Sequence, residues 1–189
     1  SSKLVVPRIG VRFRLPAEME QVTYFGRGPE ENYCDRNNGT LVGEYQATAE
    51  QMYFPYVRPQ ENGHHTDTRW LMLKKKNGKG LAVYADGTLE FNSLRNSIED
   101  FDGEEAVQRD YQWNNRDAEE LKHDVSTAKN IKPRQTHIND ITPRDFVEVC
   151  LDMRQMGVGG FDSWGAVPDP QYLIPANKEY QWGFTIVPM

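Results

Sequence analysis

Carboxylates are the most plentiful reactive groups in this sequence, and paired carboxylates are the machinery of glycoside hydrolysis. Glu30 and Glu31, Glu61, Asp67 and Asp162 all stand in segments rich in turn-forming residues. A hydrolytic pair needs its carboxyl groups about 5 Å apart, or wider by the width of a water. With 28 acidic residues in a chain of 189, proximity along the chain does not select one pair. Nucleophilic catalysis has less to stand on, because Ser163 lies outside a G-x-S-x-G elbow and no histidine has a privileged relation to it. The sequence contains no P-loop, dinucleotide fingerprint or metal-ligand spacing. Adjacent His64 and His65 point to opposite sides of an extended chain, so they do not chelate one metal as i, i+4 helical histidines do. Cys34 and Cys150 form no CxxC pair, which leaves a long-range disulfide or two separate thiols.

Sugar recognition suits these residues better. A sugar presents an apolar C–H face and a rim of hydroxyls, so its sites combine an aromatic platform with amides, carboxylates and arginines. Trp164 stands beside Asp162 and Ser163 in the glycine-rich run 157–165. A second cluster is Glu61 and Asn62 beside His64 and His65, and a third sets Arg27 and Arg36 around Glu31, Asn32 and Tyr33. Each cluster is either sugar-facing or an internal network that holds its own loop. Residue chemistry alone leaves Trp164 divided between packing beneath a turn and serving as a ligand platform.

The elements that must position these groups are short strands. Val11, Phe13 and Leu15 alternate with Arg12 and Arg14 and close at Pro16. Further strands are expected at 21–25 and 41–45, at 68–73 and 80–85 across a lysine-rich turn, and at 88–93 after Asp86-Gly87. The prolines at 55 and 59 make 52–63 an edge strand or an extended piece outside any ladder. The stretch 96–117 reads as an irregular surface excursion, and Asp117 with Glu120 forms a capping box for one helix to about Val125. Val147, Val149, Leu151 and Met153 define the clearest strand, which runs straight into a loop whose glycines favour positive φ. A buried strand is expected at the end, with Tyr180, Trp182, Phe184 and Ile186 on one face. Many short strands, frequent turn signals and one helix predict an all-β chain, an antiparallel sandwich forming a single domain over 1–189.

A net charge of −6 and the absence of clustered Lys and Arg, apart from 74–79, argue against nucleic acid or an anionic membrane as a partner. The 38% hydrophobic content supports a real core. No apolar run reaches the ~20 residues of a membrane span, so a soluble protein is expected, with cytoplasm and periplasm both open.

Four stretches in order carry a family resemblance: 24–33 with Asp35-Arg36, 52–63, Thr68-Arg69-Trp70, and 157–164. Together they resemble the carboxyl-terminal domain of family 2 glycoside hydrolases of the large bacterial β-galactosidase type, the small-chain domain. Resemblance implies the later part of a large antiparallel sandwich of the galactose mutarotase kind, lying against a catalytic barrel. It implies that Trp164 is the aromatic residue lent to the barrel's active site, stacking beside the galactosyl unit of a galactoside substrate. The catalytic glutamates and the magnesium ligands of that family belong to the barrel, so this chain carries no cofactor and is expected to be inactive alone. Cys34 stands where the family often has proline, and 99–115 reads as an insertion. Missing early strands would leave an apolar edge or face exposed.

Two other functions follow from the same residues. The first is a free-standing sugar-binding module or aldose mutarotase, of which the mutarotase would need a histidine acid and a carboxylate base on one concave face, drawn from His64 or His65 with Glu61. A module for homo-oligomer contacts would need neither.

Overall fold

The computed structural model describes residues 4–57, 60–101, 138–162 and 165–189. The chain divides into two compact units. The first comprises 1–54, 62–96 and 143–189, and the second 55–61 and 97–142.

The first unit is the antiparallel, all-β sandwich architecture expected from the strand pattern. Its strands are β1 (Arg8–Pro16), β2 (Gln21–Gly28), β3 (Leu41–Thr48), β4 (His65–Lys74), β5 (Gly80–Leu94), β6 (Phe146–Gln155) and β7 (Phe184–Pro188). They are joined in the order β1-β6-β5-β4-β2-β3, with β7 also on β5. Residues opposite one another in a ladder share a face. Tyr24 faces Leu71 and Leu71 faces Val83, and further along Phe91 faces Leu151. All five are buried and, with Val147 and Val149, make the core.

β5 differs from the sequence expectation. Asp86-Gly87 does not fold a hairpin; Gly87 takes φ +95° inside one strand of 15 residues. β4 runs along both halves of β5, so a reversal at 86–87 would break that ladder. The other edge of β5 is shared, with β7 on 81–85 and β6 on 90–94. The sheet therefore forks at Gly87.

Three further boundaries move. β2 continues through Gly26, Arg27 and Gly28, which pair with Gly43, Val42 and Leu41. These glycines belong to the ladder because neighbours crowd them: a Cβ on Gly26 would lie 2.5 Å from Thr68 Oγ1. β4 begins at His65, through a bulge in which Asp67 adopts φ 53°. β7 is mostly exposed rather than buried, and Tyr180 and Trp182 precede it. Its Ile186 and Val187, which as neighbours point to opposite faces, are both in contact with solvent. The edge strands also show apolar side chains, Val11 on β1 and Leu41 and Val42 on β3.

In the second unit the described helix is α1 (Ile98–Phe101). It falls in the stretch read as irregular, where Ser97 and Asp100 form their own capping pair. The Ser97 amide donates to Asp100 Oδ2 at 2.9 Å, and the Asp100 amide donates to the Ser97 carbonyl at 3.0 Å. The helix expected at 117–125 lies outside the described residues. No described helix is long and apolar enough to cross a membrane.

Candidate functional site

The end of β6 is the place where the sheet hands its chain to the glycine-rich loop, and it is fastened at several points. The Gln155 amide donates to Glu90 Oε2 at 2.6 Å, and the Gly157 amide donates to the Tyr172 carbonyl at 2.9 Å. Cys34 donates its thiol to the Gln155 carbonyl across 3.4 Å, and the Gly159 amide donates to Asp35 Oδ2 at 2.7 Å. Both Cys34 and Asp35 sit in a tight turn in which the Arg36 amide returns to the Tyr33 carbonyl at 2.8 Å.

Beyond those fastenings the loop turns outward. Val158, Gly159, Gly160, Phe161, Asp162 and Gly165 are exposed, and Phe161 is 92% accessible. A Cβ on Gly160 would lie 2.4 Å from the Ala166 carbonyl oxygen, and the Ala166 amide donates to Asp162 Oδ1 at 3.2 Å, so the loop closes on itself. Positive φ is not what these glycines share. Only Gly165 of this loop takes it, at +116°, whereas Gly157 and Gly160 are required by close approach of neighbouring atoms. Ser163 and Trp164 lie outside the described residues. Asp162 is placed in the loop's own bonding, as the partner of Ala166.

The residues of the other two sequence clusters divide between structural roles and separate units. Asn62 is buried and clamps Phe54, accepting from its amide at 2.8 Å and donating to its carbonyl at 2.6 Å. Arg27 donates to Asp67 and to the carbonyls of Asn37 and Thr40. Arg36 donates to Glu31 Oε1 at 2.6 Å and lies over the Tyr33 ring, 4.8 Å from its centroid. Glu61 belongs to the second compact unit and is exposed.

His64 and His65 diverge, as adjacent residues on extended chain must. His64 is wholly buried between Asn92 Oδ1 at 2.8 Å and Glu90 Oε2 at 3.0 Å, with Tyr33 stacked on it at 5.3 Å. His65 enters the aromatic core between Tyr24 and Phe91 and shares Nδ1 with the Arg27 carbonyl and the Tyr24 hydroxyl. Burial lowers its pKa to about 3, so its imidazole is neutral at physiological pH. Neither imidazole reaches solvent, so neither His64 nor His65 is placed as an accessible general acid for a mutarotase.

Sequence reasoning missed Asp35, Glu90, Asn92, Gln155 and Tyr172. Each acts on a residue far along the chain, and no local spacing announces such a bond. Both cysteines are free thiols, with burial pushing Cys34 up and Cys150 up to about 12. Among the described residues no group of three or more His, Cys, Asp or Glu could hold a metal ion.

Residues 1–186 match the family described as beta galactosidase small chain. The chain belongs to that family. Among curated proteins, this small-chain sequence is 31% identical to a β-galactosidase of Priestia megaterium over 187 residues, covering 97% of the chain. It is also 31% identical to a β-galactosidase of Streptococcus thermophilus over 184 residues, again 97% of the chain. A β-galactosidase of an Arthrobacter species is 43% identical over 83 residues, which cover 44% of the chain and 8% of that relative. The small-chain sequence spans about 15% of the length of the first two relatives. It corresponds to one portion of much larger enzymes.

Proposed function

We propose that this chain is an accessory domain of a retaining, family 2 β-galactosidase that hydrolyses terminal β-galactosides. It lends the active site an aromatic platform, Trp164, with Asp162 and Ser163 beside it, and supplies no catalytic carboxylate. The catalytic barrel and the other domains of a parent chain are its partners, the barrel holds the magnesium, and the isolated chain is inactive. Small-chain family membership supports the parentage, and the short span relative to known β-galactosidases supports an accessory part. The observation that carries the platform role is the loop's division of labour: a fastened base at 155–159 and an outward, exposed chain on both sides of Ser163-Trp164. An indole on such a loop would offer its face to the apolar side of an aglycone sugar.

The experiment is Trp164→Ala in the full-length enzyme. A single stacking contact is worth about 1 kcal/mol, so aglycone affinity and transfer to sugar acceptors should fall about five-fold. Unchanged acceptor use would remove the platform.

A further inference from the structure

We propose that Asp35 is the positioning residue of the glycine-rich loop, fixing the point from which the chain sets out toward Trp164. The inference rests on the platform reading of Trp164. Asp35 meets the loop in two ways. Its Oδ2 accepts the Gly159 amide across a sequence separation of 124 residues, five positions before Trp164. Its carboxylate also lies against the backbone of Gly157, where an added Cβ would stand 2.7 Å from both Cγ and Oδ2 and 2.9 Å from Tyr172 Cβ. Only a glycine at 157 admits that approach, so the carboxylate and the loop are fitted to each other.

The fit does not look like a stabilising device. Asp35 Oδ1 is buried and has no hydrogen-bond partner. One amide bond to a half-buried carboxylate adds only modestly to net stability, so the contact places the loop more than it holds the fold. The turn that carries Asp35 is itself held rigidly. Tyr33 stacks on buried His64, Cys34 reaches the Gln155 carbonyl, and Arg36 pairs with Glu31. Asp35 therefore transfers the rigidity of the sheet to a loop that otherwise faces solvent, at the residue where that loop leaves the body of the fold.

The test measures partition of the galactosyl group between water and added glucose in the full-length enzyme, with a nitrophenyl β-galactoside as donor. Asp35→Ala should raise the glucose concentration for half-maximal transfer about five-fold, the same shift as Trp164→Ala, while the Trp164→Ala, Asp35→Ala pair should be no worse than Trp164→Ala alone. Asp35→Asn keeps an acceptor oxygen and should restore most of the acceptor use. Gly157→Ala, which displaces the carboxylate, should imitate Asp35→Ala and carries the comparison if Asp35→Ala does not fold. If Trp164→Ala shifts acceptor use and neither Asp35→Ala nor Gly157→Ala does, the positioning role is overturned and the platform stands. Full additivity of the two substitutions would also overturn it, since Asp35 would then act elsewhere. A silent Trp164→Ala removes the platform and the positioning role together.

Discussion

Two aspartates beside β6 are held in opposite ways. Asp152, on the strand itself, is 1% exposed and stands 3.2 Å from Arg8 Nε. Those two atoms lack the alignment of a hydrogen bond, so their attraction is Coulombic, and Arg8 turns Nη2 to Asn92, at 2.9 Å, and Gln155, and Nη1 to Cys150 Sγ. Asp35, beside the exit of the same strand, is half-buried, has one amide donor and leaves Oδ1 without any. The first aspartate sits in a polar network inside the sheet, where its Oδ2 also lacks a hydrogen bond but faces a charge. The second is spent on the placement of one loop. Charged groups next to one strand can thus serve fold and geometry separately, and burial beside an opposite charge distinguishes them.

Removing Asp152 should have the largest effect on folding. Asp152→Ala removes a buried charge from beside the mostly buried Arg8, which should lower unfolding free energy by about 3 kcal/mol in urea titration. A loss as small as that of a surface pair would mean that the network is solvated and that the contrast with Asp35 is weaker than drawn. Next comes the acid response of His65, whose pKa is lowered to about 3. The unfolded chain binds a proton near pH 6.5 that the folded chain refuses, so stability rises with pH between about 3 and 6.5 and is lost on acidification. At pH 5 this amounts to roughly 2 kcal/mol. His65→Asn, which keeps a donor for the Arg27 carbonyl, should flatten that limb by close to one proton in the pH dependence of urea unfolding. The smallest effect belongs to Asp35. Asp35→Ala should change unfolding free energy by less than about 1 kcal/mol, because the lost amide bond is offset by removal of an orphaned oxygen. A loss near that of Asp152→Ala would make Asp35 a stability residue and erase the comparison.

β6 shows what was legible beforehand and why the rest was not. Its alternation of Val147, Val149 and Leu151 with Glu148, Cys150 and Asp152 names a strand and its apolar face. It also suggests a solvated polar face, yet Glu148, Cys150 and Asp152 are all buried. Arginines of β1 cover that face, with Arg14 Nε 2.9 Å from Glu148 and Arg12 at 3.5 Å. Polarity repeats every second residue whether the partner is water or an arginine, so periodicity does not separate the two. Asp86-Gly87 is a similar case: the dipeptide permits positive φ, and only the continuous neighbour β4 decides between a reversal and a kink.

By itself the sequence determined the antiparallel all-β class, the strand that leads into the glycine-rich loop and, through four ordered motifs, the family. These follow from local period, turn chemistry and residue identity, which are properties of neighbours along the chain. Tertiary structure alone decided that the glycines at 157 and 160 answer crowding, that His64 and His65 are interior groups, and that a turn at 33–36 grips a loop more than a hundred residues away. Those outcomes depend on which distant atoms arrive at a given point, and no spacing within one segment encodes that arrival.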